Sequence, residues 1–145
     1  MRFLAIPTNN FEDYEGDIIS KDAHLYLRKL IKEKIVNFPP LVLNHNMNDI
    51  IGITDYIDFK KNYLVYSGIC DYDKFLHLYY KHYNKKYNGH VIQMSHQFYS
   101  INNEKFVHEN KKEYNITNVY LPIEISILFG KKPCNKFGVF KFIKE

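Results

Sequence analysis

A histidine, a serine and a glutamate, each set among strand-forming residues, are the side chains of this sequence whose types could together do acyl-transfer chemistry. His45 closes Leu43-Asn44-His45, Ser95 lies in Met94-Ser95-His96-Gln97-Phe98, and Glu124 opens Glu124-Ile125-Ser126-Ile127-Leu128. A serine hydroxyl is a poor nucleophile at neutral pH and needs a neutral imidazole to take its proton. A carboxylate on the other ring nitrogen fixes the tautomer and stabilises the imidazolium that forms. The chain order His, Ser, acid is neither that of chymotrypsin-like nor that of subtilisin-like enzymes. An α/β-hydrolase is excluded too, because Ser95 has no glycine two residues away on either side to build a nucleophile elbow. Each residue also has a plain reading: a histidine ending a strand as a turn residue, a serine and a glutamate on a strand as solvated positions. Spacing alone does not show contact.

Stepping outward from these residues, period-2 alternation over 91–99 puts Ile92, Met94 and Phe98 on one face and Gln93, Ser95 and Gln97 on the other. His96 then faces away from Ser95. Over 119–129, Val119, Leu121, Ile123, Ile125, Ile127 and Phe129 line one face, with Tyr120, Glu124 and Ser126 opposite, so Glu124 is expected to point away from the core. Pro122 cannot donate to a ladder and predicts a bulge or an edge beside Glu124. Further strands are expected at 2–6, 41–44, 50–59, 62–69 and 137–143. Ser20 caps a helix over 21–37 with Ala23, Leu27, Leu30, Ile31 and Ile35 as its apolar stripe, stopped by Pro39-Pro40; a second helix runs from Asp71 or Asp73 to Lys86, ended by Asn88-Gly89. About six strands and two helices without βαβ alternation predict an α+β, mainly β fold. It is a mostly antiparallel closed or curled barrel with the helices packed outside, and Ser95 and Glu124 on its outer surface.

The chain of 145 residues is long enough for one domain, 1–145, with a real core, and its 13 Tyr and 11 Phe supply large buried side chains. No linker or repeat divides it. The polar stretch from Asn102 to Asn118 is broken by Phe106, Val107 and Tyr114. A formal charge of +4 without a run of five like charges does not call for nucleic acid. Lysines around Tyr79, Tyr80 and Tyr83 read as the solvated side of an amphipathic helix rather than a nucleic-acid platform. Cys70 and Cys134 form no Cys-x-x-Cys pair and read as free thiols of a reducing compartment. The apolar stretch before Pro7 is too short for a signal-peptide core, and no run approaches a membrane span. No cofactor is expected. Metal binding by His77, His82, His90, His96 or Cys70 is disfavoured, since His77 and His82 are not at the i, i+4 spacing of helical zinc ligands.

Three motifs in this order resemble the prohead protease family of tailed bacteriophages, which shares its barrel with the herpesvirus capsid-maturation protease assemblin. Pro40-Leu41-Val42-Leu43-Asn44-His45, with Ile51-Gly52-Ile53 and Tyr63-Leu64-Val65-Tyr66-Ser67-Gly68-Ile69 downstream, resembles the apolar-Asn-His segment and its hairpin. Met94-Ser95-His96-Gln97-Phe98 resembles the nucleophile strand, and Ile123-Glu124-Ile125-Ser126-Ile127-Leu128 the phage members' third segment. The resemblance implies Ser95 as nucleophile, His45 as general base and Glu124 as the group orienting the imidazole, where a herpesvirus-type member carries a second histidine. Ser126 lines the site. Gly130-Lys131-Lys132-Pro133-Cys134-Asn135 stands where phage members carry a Pro-Ala-Asn-Pro-like turn, and is similar to the basic loop supporting the oxyanion in assemblins, a role the resemblance extends to Lys131 and Lys132. The short segment after Glu124 leaves no room for the helices through which assemblins dimerise, so the oligomer stays open.

The expected activity is therefore a serine endopeptidase acting on scaffold or major capsid proteins inside a viral procapsid. It would work in the host-cell interior, not secreted and without a membrane partner. The alternatives are a catalytically silent capsid-assembly or scaffolding factor that keeps the barrel, and a nucleic-acid-binding module. Ser100, of opposite parity to Ser95, and Ser126 are the other serines to consider as nucleophiles.

Overall fold

The computed structural model describes residues 1–107 and 113–143. Its elements in chain order are β1 (Arg2–Asn9), β2 (Asp17–Ile19), α1 (Lys21–Lys32), β3 (Pro40–Leu43), β4 (Asn46–Lys60), β5 (Tyr63–Cys70), α2 (Tyr72–Tyr83), β6 (Ile92–Val107), β7 (Glu113–Ile127) and β8 (Val139–Phe142). Seven strands close into a barrel in the order β7-β3-β4-β5-β1-β8-β6, because β6 returns to pair with β7; β2 lies on the free flank of β7. All pairings are antiparallel except β3 with β7 and β2 with β7. The expectation of a mainly β barrel with two helices thus holds, with more strands than foreseen. Most of the polar stretch 102–118 is ladder, β6 and β7 forming one long hairpin; its residues 108–112 lie outside the described part.

The barrel interior is filled by Phe3 and Ala5 of β1, Leu64 and Tyr66 of β5, Met94 of β6, Tyr120, Ile125 and Ile127 of β7 and Phe140 of β8. Closure brings strands so near that one side chain has to be missing: a Cβ on Gly68 would lie 2.0 Å from the Ile53 carbonyl oxygen across the β4–β5 ladder. Helix α2 begins at Asp71, whose carboxylate accepts the Lys74 N–H, and lays Phe75 and Tyr79 among Tyr72, Tyr87, Phe129, Phe140 and Phe142. It stops at Asn84, in the left-handed region, rather than at Asn88-Gly89.

Helix α1 begins at Ser20, whose Oγ accepts the Ala23 N–H, as expected, but ends at Lys32 instead of residue 37. Lys34 takes a left-handed φ of 61°, and the N–H groups of Lys34, Ile35 and Val36 turn back to the carbonyls of Ile31 and Leu30. Ile35 consequently leaves the apolar stripe and is exposed. A lysine in this conformation carries no sequence signal, because the glycine that usually marks such a helix end is absent.

The buried face of α1 contains His24, fully buried between the strands it covers. Its Nδ1 meets the Tyr120 hydroxyl at 2.7 Å and its Nε2 the Asn9 carbonyl at 2.9 Å. Since Nε2 must donate to a carbonyl, Nδ1 accepts from Tyr120, and the ring is neutral with both nitrogens satisfied. Burial pushes the His24 imidazole down to about 4, against the Asn9 carbonyl, which favours the charged form. The unfolded chain therefore binds a proton between pH 6.5 and 4 that the folded chain refuses. Stability is full above about 6.5 and falls by up to roughly 3 kcal/mol from this group by pH 4. Urea denaturation across that range is expected to show the decline, with a shallower slope in His24→Gln; equal slopes would remove His24 as its cause.

Candidate active site

β7 carries the bulge that Pro122 foretold. Gln97 pairs with Glu124 and Phe98 with Pro122, so Ile123 is the unpaired extra residue. The bulge reverses parity: Tyr120 lies in the core with Ile125 and Ile127, whereas alternation without a bulge put it on the face of Glu124 and Ser126. Beyond the bulge, β6 and β7 present Ser95 opposite Ser126, and Gln97 opposite Glu124, on the face away from Met94 and Ile127.

Gln97 is exposed, but the rest of that face is covered, which corrects the expectation that Ser95 and Glu124 lie on an outer surface. Glu124 is 0% exposed, Ser126 0% and Ser95 5%. β3 runs parallel to β7 along 125–127, and the turn that follows β3 folds over the face. Asn44 and His45 both adopt left-handed backbone, with φ of 48° and 59°. Two such non-glycine residues in succession cost energy that local hydrogen bonds must offset. The bonds all come from or go to β7 and its extension: Asn44 N–H donates to the Ile127 carbonyl (2.9 Å), Asn44 Oδ1 accepts the Phe129 N–H (2.8 Å), and His45 N–H donates to Ser126 Oγ (2.8 Å).

Clamped in this way, His45 points its Nδ1 at Glu124 Oε1, 2.8 Å away. The imidazole retains 28% exposure while the carboxylate has none. With Nδ1 committed to donating, Nε2 is the basic nitrogen and has no hydrogen-bond partner among the described residues. His45 and Ser95 line one cavity of about 300 Å³, together with Asp13, Glu15, Asp17, Ile19, His96, Gln97, Phe98, Cys134 and Asn135. The structure thus brings His45 and Glu124 into contact and Ser95 and His45 onto one cavity. Among the described residues no hydrogen bond joins Ser95 to His45.

The other candidates separate. Ser126 sits behind His45 as the acceptor that holds its backbone. Ser100 lies further along β6 beside Thr117 and not on the cavity. Lys131 and Lys132 line a second pocket, with Tyr83, His90 and Gln93, and the Lys132 ammonium lies 5.6 Å from the centre of the Tyr14 ring, next in sequence to Asp13 and Glu15 of the Ser95 cavity. Gly130, with a left-handed φ of 68° and an N–H bond to the Tyr83 hydroxyl, turns the loop toward α2. His96 does not simply face away: it stacks on Phe98, lines the same cavity as Ser95, and is pushed down to about 3 by burial and then by the charges of His24 and His45. It stands as a neutral imidazole at the cavity wall. Sequence reasoning missed the acidic segment Asp13, Glu15 and Asp17, although its density in a net basic chain was a visible signal.

Compared with known protein families and curated proteins, the chain matches no family model and no curated sequence.

Glu124 Oε2 is buried without a hydrogen-bond partner among the described residues, so Oε1···His45 is the contact found there that compensates this carboxylate. His45→Ala is accordingly expected to destabilise the fold by about 1–3 kcal/mol, whereas Ser95→Ala, which breaks no described hydrogen bond, should fall within about 1 kcal/mol of wild type. Denaturant melts of the two variants check this. Equal stabilities would mean that Glu124 is compensated elsewhere.

Proposed function

We propose that the protein is a serine endopeptidase that processes scaffold or capsid protein during viral procapsid maturation, with a barrel of the prohead protease and assemblin type. The observation that carries the reading is the fully buried Glu124 carboxylate holding Nδ1 of a half-exposed His45 on a cavity that Ser95 also lines. A histidine serving only as a turn residue has no need of a buried carboxylate on one ring nitrogen. The placement of the three residues, after β3, on β6 and on β7 of one barrel, further supports the likeness on which the biological role rests.

In this mechanism His45 Nε2 takes the Ser95 hydroxyl proton as Oγ attacks the scissile carbonyl carbon. The imidazolium is stabilised by Glu124 and then gives the proton to the leaving amine as the C–N bond breaks. Water, deprotonated by the same nitrogen, releases the acyl group and restores the hydroxyl. A rotation of Ser95 or of the His45 ring has to complete the Oγ–H···Nε2 hydrogen bond, since catalytic contacts are often loose before substrate binds. The absence of that bond among the described residues favours the second reading, a catalytically silent assembly factor that keeps the barrel.

A fluorophosphonate probe separates the two. Adduct formation at Ser95, lost in Ser95→Ala and strongly slowed in His45→Ala, is the outcome of the protease reading; an unlabelled wild type favours the silent factor. Glu124→Gln keeps the shape but removes the charge and favours the wrong His45 tautomer, so single-turnover cleavage of scaffold protein should slow by up to about 10⁴-fold. An unchanged rate would reduce the site to a Ser-His dyad.

A further inference from the structure

The cavity that Ser95 and His45 share has a second wall of a different character. Asp13, Glu15 and Asp17, from the β1–β2 connection and the start of β2, bring three carboxylates to it in a chain whose net charge is +4. None of the three forms an ion pair among the described residues. The nearby ammonium groups of Lys132 and Lys136 lie over the Tyr14 ring instead. The segment is built, not loose. Asp13 Oδ1 accepts the N–H groups of both Glu15 (2.8 Å) and Asp17 (2.9 Å), Asp17 Oδ1 accepts from Asn115 (3.0 Å), and Glu15 Oε1 accepts from the Cys134 thiol (3.4 Å).

Burial and like charge act together on Asp13 and on the adjoining Cys134. Burial first, and then the charges of Asp17 and Glu15, hold the Asp13 carboxyl above its ordinary range despite its two backbone donors. Burial, the Glu15 hydrogen bond and the charges of all three acids push the Cys134 thiol up. Like charges gathered this way raise the free energy of the empty site, and a cation delivered to it relieves that. Among the described residues no three such side chains converge as metal ligands would. The independent pointer to a bound chain is Ser95, 5% exposed, without a hydrogen-bond partner among the described residues, and opening on the same cavity.

We propose that the wall formed by Asp13, Glu15 and Asp17 is a substrate subsite that takes a lysine or arginine side chain of the polypeptide presented to Ser95. The inference rests on the protease reading and names its substrate class. A basic side chain lying in the cavity would place its charge among the three carboxylates while its backbone carbonyl approaches Ser95 Oγ. An acidic side chain at that position would meet three like charges and be rejected, so discrimination comes from repulsion as well as attraction.

The test uses the whole protein and two mixtures of capped heptapeptides, randomised except for a central lysine in one and its uncharged near-isostere norleucine in the other. Cleavage read by mass spectrometry is expected to be at least about 10-fold faster with the lysine mixture, the ratio collapsing toward one in Glu15→Gln/Asp17→Asn. These changes keep side-chain shape and spare the turn that Asp13 holds. Fluorophosphonate labelling of Ser95 runs in parallel. A labelled wild-type enzyme with a ratio near one, or a ratio that survives the double substitution, overturns the subsite while leaving the protease standing. Failure of labelling and cleavage together overturns the protease reading, and NMR titration then decides the subsite. Shifts at Asp13, Glu15 and Asp17 with the lysine mixture but not with the norleucine mixture support it, and their absence refutes it.

Discussion

The arrangement around β7 depends on one contact: the hydrogen bond from His45 Nδ1 to a carboxylate from which water is excluded. A buried carboxylate with a single partner among the described residues is expensive, because desolvation penalises the charge and Oε2 finds no hydrogen bond among them. Such a group is tolerable only where the partner is held in place. The left-handed Asn44-His45 turn supplies that, and its three bonds to Ile127, Ser126 and Phe129 explain how a locally unfavourable backbone is kept. Local strain and charge burial are concentrated at one place and offset by the same strand.

The barrel makes this possible through its two parallel pairings. β3 could have met only its hairpin partner β4, but the parallel pairing with β7 puts the end of β3 over the outer face of Glu124 and Ser126. The other, between β2 and β7, anchors the acidic segment that walls the cavity on its far side. β7 is thus the strand on which His45, Glu124 and the acidic wall all converge. Its bulge at Ile123 sets which residues face the core and which face the site.

Histidine chemistry divides along the same line. His24 and His96 are held neutral by burial, one satisfied inside the core and the other stacked at the cavity wall. Among the described residues, His45 alone of these three has a carboxylate in contact. The proposed reaction needs one imidazole to gain and lose a proton, and neighbours that stay uncharged serve it.

From the sequence by itself, the class of the fold was legible: helix caps at Ser20 and Asp71, hydrophobic alternation in the strands, and a Pro122 that had to break the ladder are all local physics. The residue types His45, Ser95 and Glu124 could also be picked out, because strand parity put a hydroxyl and a carboxylate away from the core. Burial could not be read, since whether a strand's second face meets water depends on what folds over it, and that came from the β3–β7 pairing across more than eighty residues of chain. The placement of Tyr120 in the core, on the face opposite Glu124, followed from a one-residue bulge, which shifts every side chain beyond it to the opposite face. The early end of α1 hung on a lysine in a glycine-like conformation, and the placement of Lys131 and Lys132 along a second pocket on the turn at Gly130. Alternation and capping act over a few residues and leave their mark in the sequence; covering a charge requires two distant strands to meet, and only the tertiary structure decides that.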